Sequence, residues 1–343
     1  MVRMLRSQSV VTAVLAALAM VLVAGWLSVG RAEPRPELPE VPADELIASA
    51  LQAVAERTPV SGTVKTHVDL GLPQLPSGLG DPAGPASVLL ADQTFKYWRS
   101  PDGVRVAQII PFAERDVVAN GTDAWFWDSE KYEAWHVAMG EPMPAHRSPP
   151  PSLGDIEAVV ARALREVRPY AVVSVVDPQV VAGRDAYIVR LAPASSETLV
   201  GRIEVAVDAQ TRLPLRLQMF AKDRSTAVLE AGFASVDFEP VDASMFEFAP
   251  PENAMVTEVT AGHGAGGAYD AAPHDIPQVR IFGAGFGLIV GVRVTEVPRD
   301  LRPLFPYAGP LASADHVDRG DHAWVVVGLV PPAALAGVEP ELP

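Results

Sequence analysis

Between Val104 and Pro251 an alternation of apolar and polar side chains with a period of two residues recurs on segment after segment. Val104, Val106 and Ile110 fall on one side of their segment and Arg105 on the other. Tyr187, Val189 and Leu191 alternate with Arg190, and Ile203, Val205 and Val207 with Glu204 and Asp208. Leu213, Leu215, Leu217 and Met219 alternate with Arg216 and Gln218. Successive side chains of a strand point to opposite faces, so this pattern demands strands with one wet and one oily face. An oily face must be covered or filled.

The expected class is mainly β with a few helices. Strands are expected at Thr63–Leu70, Thr94–Arg99, Val104–Ile110, Val117–Val118, Trp125–Trp127, Val172–Val176, Ala186–Leu191, Arg202–Asp208, Leu213–Ala221 and Ala227–Phe233, with Phe246–Pro251 closing the sheet. Asn120-Gly121 is a strong hairpin turn signal, and the turn explains Asn120-Gly121-Thr122 better than a glycosylation sequon does. Asp44 opens one helix, with Leu46, Ile47, Ala50, Leu51 and Val54 on one stripe and Pro59 beyond its end. Ile156, Val159, Val160, Ala163, Leu164 and Val167 recur at helical spacing in a second. Two helices are few for a sheet of about ten strands, so apolar surface is left over. That favours a holder of something apolar over a catalyst.

With 343 residues the chain has room for one large or two modest domains. Its 42 acidic and 27 basic residues give a net charge of −15, which repels nucleic acid and anionic membrane surfaces. The absence of cysteine excludes disulfides, thiolate metal sites, a cysteine nucleophile and a lipidated cysteine. Arg3 and Arg6 precede an uncharged run from Val10 to Val29. A spanning helix needs about 20 residues, whereas the apolar part of a cleaved leader has about 7–15. Gly30-Arg31-Ala32 reads equally as a cleavage site. Residues 1–32 are thus a signal peptide or an N-terminal membrane anchor, and the remainder is exported to the cell envelope, either anchored in the cytoplasmic membrane or secreted. A proline-rich spacer follows at 33–43. The main sheet is expected over 44–260, a glycine-rich linker over 261–275, and a small β-rich subdomain without a helix over 276–343, leaning on the main sheet.

The chemistry-bearing motifs weigh little. Gly283-Ala284-Gly285-Phe286-Gly287 precedes a strand, and a phosphate loop needs a helix there, so a glycine turn is the better reading. His316, Asp318, Asp321 and His322 are metal ligands by type, but they lie in a polar loop with no second cluster of matching spacing. Trp98, Trp125, Trp127 and Trp135 suit a sugar platform less well than aromatic packing on a curved sheet. No HExxH, GxSxG or Walker loop occurs. No enzyme, metal or cofactor is expected.

The order helix, strand, loop, hairpin, Asn120-Gly121-Thr122-Asp123-Ala124-Trp125-Phe126-Trp127-Asp128, helix and meander resembles the LolA/LolB-like lipoprotein-carrier superfamily. Val241-Asp242-Ala243-Ser244-Met245-Phe246-Glu247-Phe248-Ala249-Pro250-Pro251 is similar to its closing segment, and Ala182-Gly183-Arg184-Asp185-Ala186-Tyr187 also fits. The likeness spans Asp44 to Val259. It implies an unclosed antiparallel β-barrel, a half-barrel with a helical lid over a cavity for an acyl chain of a lipid or lipoprotein. RseB-type sensors, which regulate a membrane-bound anti-sigma factor through protein contact, belong to the same superfamily and offer the alternative. In the carrier an arginine just before a proline latches the lid. Arg99, with Ser100 between it and Pro101, is the nearest match. The expected lining is Phe95, Tyr97, Val104, Val106, Ile110, Tyr187, Val189, Leu191, Val205, Val207, Leu215 and Leu217, capped by Ile156, Val160 and Leu164.

Overall fold

A computed structural model describes residues 36–71, 92–110, 112–121, 123–138, 168–222, 224–260, 278–297, 299 and 301–342. The leader and the second expected helix, with Ile156, Val160 and Leu164, lie outside them. No helix among the described residues is long and apolar enough to cross a membrane.

The proline spacer gives way at Pro42 to helix α1 (Ala43–Ala55), whose acidic first turn, Asp44 and Glu45, complements the positive end of the helix. It buries Leu46, Ile47, Ala50 and Ala53. Strand β1 (Val60–Val68) leads into a meander of β2 (Gln93–Ser100), β3 (Gly103–Ile110), β4 (Ala113–Asn120), β5 (Asp123–Asp128) and β6 (Glu133–Ala138). A second meander comprises β7 (Ala171–Val181), β8 (Arg184–Pro193), β9 (Val200–Asp208), β10 (Pro214–Ala221) and β11 (Leu229–Asp237). Strand β1 joins the two by pairing with β2 on one side and β11 on the other. The result is an open twelve-stranded sheet in the order β12-β6-β5-β4-β3-β2-β1-β11-β10-β9-β8-β7. Its last member, β12 (Met255–Thr260), runs parallel to β6.

Two strands and one closing segment depart from the expectation. Neither β6 nor β12 carries a clear alternation, and tertiary pairing creates both. The Asp128 carboxylate accepts the N–H groups of Glu130 and Lys131 and so forms the turn that sends β6 back along β5. The segment expected to close the sheet, Phe246–Pro251, forms no strand: Phe246 ends a 3-10 turn, Ala243–Phe246, in which Asp242 caps the Ser244 N–H, and the residues after it are irregular. Phe246 is buried against Gly103, where a Cβ would lie 2.7 Å from its ring.

A second, five-stranded sheet follows: β13 (Val279–Phe282), β14 (Ile289–Val294), β15 (Tyr307–Ala308), β16 (Ser313–Asp318) and β17 (Ala323–Gly328), in the order β13-β14-β17-β16-β15. It does carry a helix, α2 (Pro332–Val338). That helix is too short for its periodicity to be read from sequence, but it begins with proline in its first turn. Leu335 and Leu342 pack there with Ile289, Trp324, Val326 and Val330. The glycine motif makes a 3-10 turn, Gly285–Gly287, and leads into β14. The second sheet docks where the Leu329 carbonyl accepts from Thr198 Oγ1 at 2.7 Å and from the Leu199 N–H at 2.8 Å. Phe286 and Leu311 enter the main core beside Leu191 and Val200. Gly285, at φ +57°, lets the Tyr170 ring lie on its backbone, since a Cβ would sit 2.3 Å from Tyr170 Cγ. Leu38–Pro343 is one compact unit.

Candidate functional site

Directly opposed residues of antiparallel strands share a face. The face that carries α1 can therefore be followed strand by strand. Over the second meander it holds Tyr187, Val189, Leu191, Val205 and Val207, buried against Leu46, Ile47 and Ala50, with Leu217 half-buried beside them. The Tyr187 hydroxyl donates to the Pro39 carbonyl at 3.1 Å. Over β1–β3 it holds Phe95, Tyr97 and Val106, buried with Val60, Val64 and Ala53. Most of the expected lining is therefore packed beneath the first helix. Leu215 does not belong to this face. A bulge between Pro214 and Arg216 turns it to the other side, where it packs with Ala186, Ile188 and Ala206. A β-bulge adds one residue and inverts the alternation, which a period-two reading cannot see.

Beyond α1 the same face is only partly buried. From Tyr97 and Val106 the register continues through Val117, Phe126 and Trp135. These last three are only half-buried, and the Phe126 and Trp135 rings meet at 5.3 Å. Val104, Ala119, Ala124 and Val137 form a parallel row, also half-buried. Ile110 lies at the end of β3, half-buried opposite Ala113. Sequence reading missed Val117, Phe126, Trp135 and Val137. The signal was present as alternation with Val118 and Trp125, but on runs too short to separate the two faces.

A polar row bounds these apolar rows. Gln108 and Arg115 are opposed across β3 and β4, and Arg115 and Asp128 across β4 and β5. Gln108 Nε2 donates to Gln93 Oε1 at 2.6 Å, and Arg115 Nε donates to Asp128 Oδ2 at 3.0 Å. Arg115 and Asp128 are both buried. Burial works against the Asp128 carboxylate, but the Lys131 N–H, the Arg115 guanidinium and the Glu130 N–H outweigh it and hold its pKa below the ordinary value.

Arg99 is buried on the α1 face opposite Val60 and Val104. Its Nη2 donates to the Thr58 carbonyl at 3.0 Å, so this arginine fastens the turn between α1 and β1. The four tryptophans do not make one platform. Trp98, Trp125 and Trp127 lie on the opposite face and Trp135 on the α1 face. Trp125 stacks on His136 at 4.0 Å, and Phe248 lies 5.4 Å from the Trp125 ring and 6.1 Å from that of Trp127. Among the described residues no three His, Asp or Glu side chains gather as a metal site, and His322 pairs with its neighbour Asp321 at 2.7 Å.

His136 ties the edge together. Nε2 contacts Asp123 at 2.8 Å and Nδ1 contacts Glu258, on β12, at 2.7 Å. Burial disfavours its charged form, but the bonds to both carboxylates prevail and raise its pKa. A raised folded-state pKa stabilises fully below the unfolded value of about 6.5 and is lost as pH rises through the folded value. The extra hydrogen-exchange protection of β12 in wild type over His136→Gln is therefore expected in full at pH 5.5 and is expected to disappear on the alkaline side. A pH-independent difference would show that the imidazolium does not clamp the strand.

The geometry defines an open antiparallel sheet with one helix-covered apolar face that extends past its helix, joined to a second small sheet. No protein-family model matches the sequence, and no curated protein does. Solved structures do. A chain of the Pseudomonas aeruginosa MucA/MucB complex is 14% identical, with 86% of this chain and 96% of that chain covered and a TM-score of 0.49. MucB alone is 15% identical over 86% and 94%, with a TM-score of 0.44. A LolA superfamily protein from Nitrosomonas europaea is 10% identical over 61% and 99%, with a TM-score of 0.23.

Proposed function

We propose that this protein is an exported, non-enzymatic module that holds an acyl chain, of a lipid or a lipoprotein, in an apolar half-barrel on the α1 face. One observation carries the reading: the row Val106–Val117–Phe126–Trp135 continues the buried core without a break, yet is half-exposed beyond the helix. Each methylene moved there from water contributes about 0.8 kcal/mol. Some ten methylenes then supply about 8 kcal/mol before the cost of association, enough for binding without a specific polar contact. The row Gln93, Gln108, Arg115 and Asp128 gives the trough one polar side, which suits an amphiphile whose carbonyl or headgroup meets Gln108 while its tail lies on Phe126 and Trp135. The expected lining beneath α1, Tyr187 to Val207 with Leu217 beside it, serves as the floor of the fold, and Val104 and Ile110 border the half-buried part.

The test is native mass spectrometry of residues 33–343 taken gently from cells. A lipid-sized added mass is expected, removed by Phe126→Glu. A bare chain in every preparation, including after incubation with palmitate, would end the proposal. A second reading, an RseB-like sensor acting on an anti-sigma factor through protein contact, is favoured by the second sheet docked on Thr198 and Leu199, a part that holding a lipid does not require.

A further inference from the structure

We propose that the outer edge of β12 receives an extended, basic segment of another protein as an added strand. This goes beyond the acyl-chain reading and uses a different surface.

An open sheet has two edges, each with unpaired backbone groups that can template another chain. In this sheet the edges differ. At β7 the register breaks between Val176 and Gln179, and the break contains Asp177 and Pro178. Bulge, charge and proline are the devices that block edge pairing. β12 has neither bulge nor proline, and its one charge, Glu258, is held by His136 of β6. Met255-Val256-Thr257-Glu258-Val259-Thr260 keeps an unbroken register with β6 through all six pairs. It contains no proline and no lysine, and four of its residues are β-branched, the type that favours extended backbone. Met255 and Val256 are 66% and 41% exposed, and Thr257 and Glu258 are exposed as well. Alternate residues point to opposite faces, so over Met255–Glu258 the strand is exposed on both. His136 grips Glu258 from the inner side, so this edge is fixed in place.

Charge selects the occupant. Glu258, Glu133 at the paired start of β6, and Glu252 in the turn before β12 make the rim acidic, with Lys131 as the nearby cation. The whole chain carries −15. A second copy, edge to edge, would set Glu258 and its neighbours against their like. An extended segment with lysine or arginine beside apolar residues pairs with Glu258 and covers Met255 and Val256. Main-chain hydrogen bonds supply the affinity of such strand addition, and alternate side chains supply its specificity.

The test uses the full chain in mild detergent and the synthetic peptide TVKVKVT. Hydrogen exchange at the amides of 255–260 is expected to slow severalfold on adding it. TVEVEVT is expected to bind at least tenfold more weakly, and the proline-broken TVKPKVT not at all. Met255→Lys/Val256→Lys, which leaves the His136–Glu258 contact alone, is expected to lose the peptide at least tenfold with an unchanged melting temperature. Equal binding of the glutamate peptide would overturn the proposal. So would protection that falls on β7 or on the second sheet, or no protection of 255–260.

Discussion

Phe126→Glu is expected to weaken binding of a fluorescent fatty acid at least tenfold, about 1.4 kcal/mol, while lowering the melting temperature by only a few degrees. The reasoning is local. Phe126 is half-buried in the centre of the open row, so in the free protein a glutamate there reaches water and the fold tolerates it. A bound hydrocarbon tail would cover that carboxylate, and an unpaired charge against hydrocarbon costs far more than it returns. Val205→Glu is the contrasting variant. Val205 is fully buried under α1, so the same change is expected to unfold the protein. Val106, 5% exposed and packed with Ala53, belongs with Val205 in this comparison. If Phe126→Glu binds the fatty acid like wild type, the open row is ordinary surface. Titration by fluorescence, with circular dichroism as the fold check, decides it.

Asp128→Ala is expected to destabilise the protein by roughly 3–5 kcal/mol, the cost of breaking a buried ion pair from one side. The substitution leaves the Arg115 guanidinium, itself 6% exposed, to the exposed Glu130 carboxylate at 3.3 Å, and removes the acceptor for two backbone N–H groups that form the β5–β6 turn. Asp128→Asn keeps an acceptor and is expected to cost less. The pH dependence follows from the depressed pKa of Asp128. Its contribution is present above the unfolded value of about 3.9 and is lost as pH falls through the folded value. The stability gap between wild type and Asp128→Asn should hold from neutral pH down to about 4 and close below it. Chemical denaturation across that range measures it, and a gap that stays open in acid would remove Arg115–Asp128 from the account.

Much of the fold was legible because period-two alternation is a direct imprint of strand geometry. Strands β8 and β9 were readable to within two residues at each end, with their faces correctly assigned at Tyr187, Val189, Leu191, Val205 and Val207. The α1 stripe at Leu46, Ile47 and Ala50 was equally plain. The face assignment failed at Leu215, where one extra residue in a bulge inverts the pattern without leaving a mark on composition. It was silent at Val117, Phe126 and Trp135, whose runs are short and apolar on both sides. The polar row escaped notice because Gln108, Arg115 and Asp128 lie on three strands and meet only through register.

By itself the sequence determined the class: alternation, turn residues and one amphipathic stripe admit little other than an antiparallel sheet with an oily face. Tertiary structure decided how much of that face α1 covers, which side chains are core and which are only half-buried, and which edge strand carries neither bulge nor proline. Those outcomes depend on pairing between residues far apart in the chain, and local patterns carry no record of a neighbour that only folding supplies.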